Sequence, residues 1–404
     1  MRSIGLDVHR DFCEVAIAEA GEVRSAGRID TEPEALELFA QSLAPTDQVT
    51  LETTGPAMAI ARILEPHVCR VVLASATEIR AISHARVKSD RFDARTLARL
   101  LAAGMLEQVW VPDPAIGDLR RRVARRSALV RQRVRAKNEV HAALMRCLAG
   151  RPPVTDLFGV AGRRWLVSRQ FPEAERESVE GCLRQIDYLG TEIEAIDRKL
   201  CAFALGSEEM RRLMTIPGVS VGTAAALWSA IGDVRRFPSA RKLVAYLGLD
   251  PKVRQSGNEP ARHGHISKRG NTQARALLVE AAWTAMRTPG PLRAFGQRVR
   301  GRRGSQIAAV AVARKLVCIA WQMLVREEDY AYGRPSLTRQ KLRRTERLAG
   351  APALPKRHTG VRVSATPAER EAEINRQLHG ELAYKHLVAE RPRLPGKVKG
   401  AGPH

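Results

Sequence analysis

A chain of 404 residues is too long for one ordinary hydrophobic core, so two or more domains are expected. Its 67 Lys and Arg stand against 43 Asp and Glu, a formal charge of +24, and this excess predicts a polyanionic partner, because neutralising phosphates and releasing counterions is the main sequence-independent source of nucleic-acid affinity. The six cysteines show no C-x-x-C spacing and argue against a zinc knuckle or a disulfide framework. No apolar run approaches the roughly 20 residues that span a bilayer, so a cytoplasmic, membrane-free protein is expected.

Residues 1–107 predict an α/β domain. The runs "RSIGLDVH", "FCEVAIAE" and "EVRSAGRI" form a three-strand meander. A helix follows in "TEPEALELFAQSL", capped by Thr31, and then the strands "QVTLETTG" and "CRVVLAS" flank the helical "PAMAIARILEP". A last helix, "KSDRFDARTLARLL", carries Asp90 and Asp93 on one face, as an N-terminal cap or as half of a metal site. Three antiparallel strands followed by alternating helices and strands indicate a mixed sheet covered by helices.

Residues 108–208 predict a basic helical hairpin or coiled coil. Nine cations, Arg120, Arg121, Arg122, Arg125, Arg126, Arg131, Arg133, Arg135 and Lys137, share this stretch with Leu119, Val123, Leu129, Val134 and Val140 at helical spacing. Dense arginine points to phosphate contact, and a second long helix covers "CLRQIDYLGTEIEAIDRKLCAFAL". Residues 209–330 predict a helical, glycine-punctuated domain. In it "LMTIPGVSVGTAAALWSAIGD" resembles a helix-hairpin-helix, whose turn at Gly218 and helix start near Val221 would grip a phosphate; an ordinary helical corner is the alternative. A polar loop with Ser256, Gly257, Lys268 and Arg269 leads to a helix from about Thr272. Residues 331–404 hold seven of the 22 prolines and predict a basic, flexible tail with one short helix at "PAEREAEINRQLHGELAYKHL".

The acids of the first domain carry the chemistry. Asp7 interrupts Ile4, Leu6 and Val8 in mid-strand, where a lone carboxylate is costly, and Glu52 ends a second strand before a Gly-Pro turn. If these strands are neighbours and the Asp90 helix crosses their ends, Asp7, Glu52, Asp90 and Asp93 converge and require divalent metal; oxygen-only ligands favour magnesium or manganese. A two-metal site of this type acts on phosphodiesters.

The set "IGLDVHR", "LETTG" and "KSDRFDA" resembles the DEDD, RuvC-like, ribonuclease-H-type domain of the insertion-sequence one-ten transposase family, relatives of the Piv DNA invertase. "IPGVSVGTAAAL", "YLGLDPKVRQSG" and "GHISKRGNTQARALLVEAAW" resemble the same family's C-terminal transposase domain, so the likeness runs from residue 1 to about residue 325 in the family's order. The resemblance implies a DNA recombinase in which the four acids act with Ser256, the nucleophile that stores a strand end as a phosphoserine. Ser267 is expected to position its loop, while Lys268 and Arg269 neutralise phosphate charge. The resemblance also implies a structured noncoding guide RNA and dimers or tetramers in which the acids of one protomer meet the serine of another. His263 and His265 lack an evident third metal ligand and are expected to make polar loop contacts, and His9, beside Asp7, is a candidate to tune the site but is not assigned to it. Two other readings remain at this point: a metal-dependent, structure-specific endonuclease of the Holliday-junction type without a covalent intermediate, and a nucleic-acid-binding protein without catalysis.

Overall fold

The computed structural model describes residues 1–76, 79, 89–257, 259–351 and 365–390. The chain forms two compact units, Met1–Val111 and Pro112–His404.

In the first unit, strands β1 (Ser3–Val8), β2 (Phe12–Glu19) and β3 (Glu22–Asp30) form the expected antiparallel meander. Helix α1 (Pro33–Gln41) leads to β4 (Gln48–Glu52), and α2 (Ala57–Leu64) to β5 (Arg70–Ala74). Both crossovers return the chain parallel to its neighbour, giving the sheet order β3-β2-β1-β4-β5. The period-2 alternation of a strand sends Ile4, Leu6, Val8, Val49, Leu51, Val71 and Leu73 to one face. There they meet Leu36, Ile60 and Leu64 in a single core. The opposite face is built from small residues: Ala16 and Ala18 of β2 pack on Ala94 and Ala98 of α3 (Asp90–Ala102). Gly5 completes this face, because a Cβ there would overlap the Ala94 carbonyl and the Ala98 amide of α3. The expected Thr31 cap is absent. Glu32 occupies the N-cap of α1, and the Thr31 hydroxyl donates instead to the His9 carbonyl at 3.3 Å, tying the β1–β2 loop to the end of β3.

The second unit begins with two long helices, α4 (Pro114–Arg146) and α6 (Glu173–Gly206), separated by the short α5 (Val160–Val167). The cross-links Arg126–Asp197, Ser178–Glu139 and Arg146–Glu175 show that α4 and α6 run antiparallel. Leu129, Leu189 and Ile193 fill the seam between them. Next come α7 (Glu208–Leu213), α8 (Val221–Ile231), α9 (Ala240–Tyr246), a hairpin of β6 (Pro251–Arg254) and β7 (Arg262–Ile266), α10 (Thr272–Ala285), α11 (Pro291–Arg303) and α12 (Ser305–Arg326). The expectation that no segment is long and apolar enough to cross a membrane needs correction: α12 passes that test by length and composition. Its Ala308, Val312, Leu316 and Ala320 are buried in this unit, and Trp321 donates to the Phe237 carbonyl at 3.0 Å.

The region expected to be a flexible tail also differs. It contains α13 (Pro335–Leu348) and α14 (Pro367–Ala389), the second longer than expected and opened by a full capping box at Thr366 and Glu369. Polar anchors hold both. Glu381 accepts from Arg293 at 2.7 Å and from the Gly290 amide at 3.2 Å, and Glu373 accepts from the Ser336 amide at 2.8 Å. Low hydrophobicity concealed this packing, because the buried side chains are polar, Thr345, Glu373, Gln377 and Glu381, and not aliphatic. Residues 352–364 and 391–404 of that tail lie outside the described residues.

Gly5→Ala is expected to destabilise the protein by about 1–3 kcal/mol through overpacking against the α3 backbone. Gly55→Ala, where a Cβ meets nothing within 4 Å, is expected to change stability by less than about 1 kcal/mol. Urea unfolding midpoints of the two variants check this.

Candidate active site

Asp7 alternates with Ile4, Leu6 and Val8, so it lies on the small-residue face that α3 covers. The register pairs Leu6 with Leu51, so the next residues, Asp7 and Glu52, sit side by side at the C-terminal edge of the parallel strands. Helix α3 starts at this edge. Its N-cap is Ser89, whose hydroxyl accepts from the Phe92 amide at 3.3 Å. Neither Asp90 nor Asp93 is therefore spent on capping. Both acids stay in the first turn, where the helix dipole favours negative charge.

Asp7, His9 and Asp90 place ligand-type atoms within 4.8 Å of one another. His9 Nε2 lies 3.2 Å from Asp7 Oδ2 and 3.4 Å from Asp90 Oδ1. Burial pushes the Asp7 carboxyl above the usual aspartate value, His9 pulls it back, and the negative charges of Asp93 and Asp90 raise it further. A half-buried carboxylate with acidic neighbours is a site that a cation stabilises, and the two carboxylates and one imidazole of this cluster are a donor set that fits a divalent ion, while Asp93, like Glu52, stands outside the cluster. Glu52 shares the edge and the face with Asp7, but it stands outside the 4.8 Å cluster.

His9, noted in the sequence beside Asp7 but left unassigned, returns its imidazole over Asp7 through the "DVH" spacing. Glu14 escaped the sequence reading. It pairs with Asp7 across β1 and β2, is only 1% exposed, and binds Arg28 of β3 at 2.7 Å and Arg91 of α3 at 3.3 Å. An isolated buried carboxylate would be costly, so these two arginines belong to the fold as much as Glu14 does. Through Arg91, Glu14 links the sheet to the first turn of α3.

In the second unit, Ser256 lies in the exposed loop between β6 and β7, followed by Gly257 with φ +53°. Among the described residues none hydrogen-bonds to its hydroxyl. Exposed Lys252 and Arg254 lie on the same hairpin, two cations the sequence reading passed over. Ser267 donates to Asp250 Oδ1 at 2.6 Å and thereby fixes the loop. Lys268 and Arg269 are exposed, Lys268 with φ +56°. A Cβ on Gly248 would overlap the Arg269 backbone, and one on Gly270 the Tyr246 carbonyl, so two glycines let this loop seat against the end of α9. His265 is exposed, and the His263 side chain lies outside the described residues.

The nine cations of α4 divide by environment. Arg120 is drawn inward, donating to the Ser229 carbonyl at 2.6 Å, and burial lowers its pKa. Arg126 is engaged with Asp197 at 3.1 Å, and Lys137 lies over the Phe158 ring at 4.6 Å. Arg122 and Arg133 are half-buried. Arg121, Arg125, Arg131 and Arg135 are exposed and fall within one third of the helix circumference. Gly218 forms the expected turn, with φ +84° and space for no side chain against the Ala281 carbonyl.

Residues 4–148 match a transposase model of the IS110 DEDD type, and residues 210–297 match the model described as Transposase IS116/IS110/IS902 family. A putative transposase, y4qE, of Sinorhizobium fredii is 31% identical over 297 residues, covering 70% of this chain and 71% of that protein. The chain belongs to the IS110 family of transposases. It is thus a DNA transposase. The transposase for insertion sequence element IS1111A of Coxiella burnetii is 36% identical over 34% of this chain and 38% of its own length. The transposase for IS1328 of Yersinia enterocolitica is 32% identical over 48% and 59%. The first match to the IS110 models spans all four acids, the second spans Gly218, Ser256, Lys268 and Arg269, and neither extends to α13 or α14.

Asp7→Asn is expected to raise the thermal midpoint at pH 7 in chelator, because it removes a carboxylate whose folded-state pKa is raised. The sign follows from linkage: such an acid favours the fold when protonated, and the penalty sets in as pH rises through its folded value. The gap between variant and wild type should therefore close as pH falls below the ordinary 3.8. Thermal melts between pH 3 and 7 provide the measurement, and a lower midpoint for the variant at pH 7 would contradict the electrostatics.

Proposed function

We propose that this IS110 transposase cuts and rejoins DNA with Ser256 as nucleophile and with a divalent cation, magnesium or manganese, held by Asp7, Glu52, Asp90 and Asp93. The observation that carries the reading is the approach of Asp90 to Asp7 and His9 at the sheet edge where Glu52 also ends. The order β3-β2-β1-β4-β5, with an antiparallel start and parallel crossovers, supports a RuvC-like, ribonuclease-H-type domain. When bound, the cation supplies Lewis-acid stabilisation of phosphodiester oxygens. The residues supply the rest: the four carboxylates would fix its position, and His9 orients Asp7 through its hydrogen bond and lies 3.4 Å from Asp90.

In this reading Ser256 Oγ forms a bond to phosphorus, the bond from phosphorus to a deoxyribose oxygen breaks, and the serine proton is balanced by the hydroxyl that leaves. A second strand's hydroxyl then attacks the phosphoserine and frees Ser256. One phosphate ester bond is made for each one broken, so exchange needs no external energy. The open position of Ser256 on an exposed hairpin with Lys252, Arg254, Lys268 and Arg269 supports access by a polyanion.

The exposed stripe Arg121, Arg125, Arg131 and Arg135 on α4 is the surface we assign to a structured noncoding guide RNA, held through its backbone and shape. The domain division at 107, 208 and 330 belongs to the same reading. So does assembly into dimers and tetramers that bring the acids of one protomer to Ser256 of another, with α4 and α6 offering a seam.

The test expresses the protein with its native flanking DNA, so that any encoded RNA is present, and maps covalent DNA adducts by mass spectrometry. An adduct at Ser256 is expected in wild type and is expected to fall to background in both Ser256→Ala and Asp7→Asn. Strand cleavage that persists in Ser256→Ala without an adduct would overturn the serine mechanism in favour of a metal-dependent nuclease.

A further inference from the structure

The turn that carries Gly218 has a feature that neither family match accounts for. Lys341 of α13 inserts its ammonium among three main-chain carbonyls, donating to Met214 at 2.7 Å, Val219 at 3.0 Å and Ile216 at 3.1 Å. An ammonium has three N–H donors, so these acceptors use all of them. Each of the three partners is an uncharged peptide carbonyl. Carbonyls at and beyond the end of α7 have no helical partner, and the negative end of the helix dipole favours a cation there.

We propose that the turn formed by residues 214–219 is a carbonyl cage for one monovalent cation, and that the chain fills it with its own Lys341, clasping α13 onto the turn. Other contacts converge on the same place. Thr215 Oγ1 accepts from the Tyr330 amide at 3.0 Å, and a Cβ on Gly333 would crowd the Thr215 carbonyl at 3.2 Å, so the chain entering α13 already lies against the turn. From the other side, Gly218 seats the turn directly on the Ala281 carbonyl of α10. A cavity of about 460 Å³ adjoins the cage, lined in part by Gly218, Ser220, Gly222, Arg126, Arg344 and Lys341. Burial lowers the Lys341 pKa to about 8, which leaves the group mainly charged at neutral pH.

Potassium and ammonium ions match a lysine head group in charge and closely in size, and converging carbonyl oxygens can replace the hydration shell of potassium. A side chain one atom shorter than lysine would vacate the Nζ position while preserving the packing of the stem. The cage should then accept a free ion from solution. α13 is on this account part of the turn's structure, although it lies beyond the matched residues 210–297.

The experiment compares full-length wild type, Lys341→Met and Lys341→Ala in thermal unfolding, in potassium chloride, ammonium chloride and N-methylglucamine chloride at equal ionic strength. Both variants are expected to melt below wild type in N-methylglucamine and to recover as potassium or ammonium is added, with saturation. Wild type is expected to melt alike in all three salts. Equal losses in every salt, or no loss in any, would overturn the cage. Lys341→Met keeps the test open if Lys341→Ala does not fold. DNA binding by Lys341→Met separates this inference from the reading of Gly218 as a phosphate contact, on which its functional meaning rests. Recovery of the melting point by potassium, with DNA affinity unaltered in any salt, supports the cage and counts against that contact.

Discussion

The absence of a side chain at residue 5 sets the distance between α3 and the sheet, and the acid cluster depends on that distance. Any Cβ at Gly5 would occupy the place of the Ala94 carbonyl, and Ala16, Ala18, Ala94 and Ala98 keep the rest of the interface equally thin. A helix separated by leucine-sized side chains would lie several ångströms farther out, and Asp90 would lose contact with His9 and Asp7. One face of the sheet therefore carries the hydrophobic stability in Ile4, Leu6, Leu51 and Leu73, while the other trades bulk for proximity. That proximity has an electrostatic cost, visible in the raised pKa of Asp7. Glu14 shows the opposite solution on the same face: it is more deeply buried, yet Arg28 and Arg91 neutralise it within the protein. Of the two neighbouring carboxylates, Glu14 is neutralised by two arginines, whereas Asp7 has only the His9 imidazole as its hydrogen-bond partner among the described residues.

The second unit uses the same device of close backbone approach for another purpose. Gly248 and Gly270 meet the backbone of Arg269 and Tyr246 and seat the polar loop against buried Leu247 and Leu249, as Gly218 seats its own turn on the Ala281 carbonyl. The result is an exposed hairpin whose base is fixed by Ser267 and Asp250 while Ser256 remains open at its tip. This combination of rigid base and accessible tip supports the proposed role of Ser256.

Much of this was legible in the residues. Strand alternation around Asp7 and helical spacing after Asp90 gave the elements, and the position of Glu52 before a Gly-Pro turn gave the edge. What escaped had a common physical cause. Glu14 reads as a polar residue on a strand, because nothing local reveals two arginines arriving from β3 and α3. His9 reads as a neighbour of Asp7, but its approach to Asp90 appears only in the fold. Thr31 has the composition of a cap but serves the His9 carbonyl. The helices α13 and α14 were missed or shortened because their anchors are Lys341, Glu373 and Glu381, charged groups whose burial is repaid by partners far away in the sequence.

The central claim is that the carboxylates gathered by the contact between α3 and β1 form a binding site for a divalent cation. Anomalous scattering from manganese in crystals of the protein tests it most directly. The account predicts a strong peak between Asp7 and Asp90, with Glu52 and Asp93 turned toward it. Ordered Asp7 and Asp90 side chains with no peak between them at saturating manganese would contradict it.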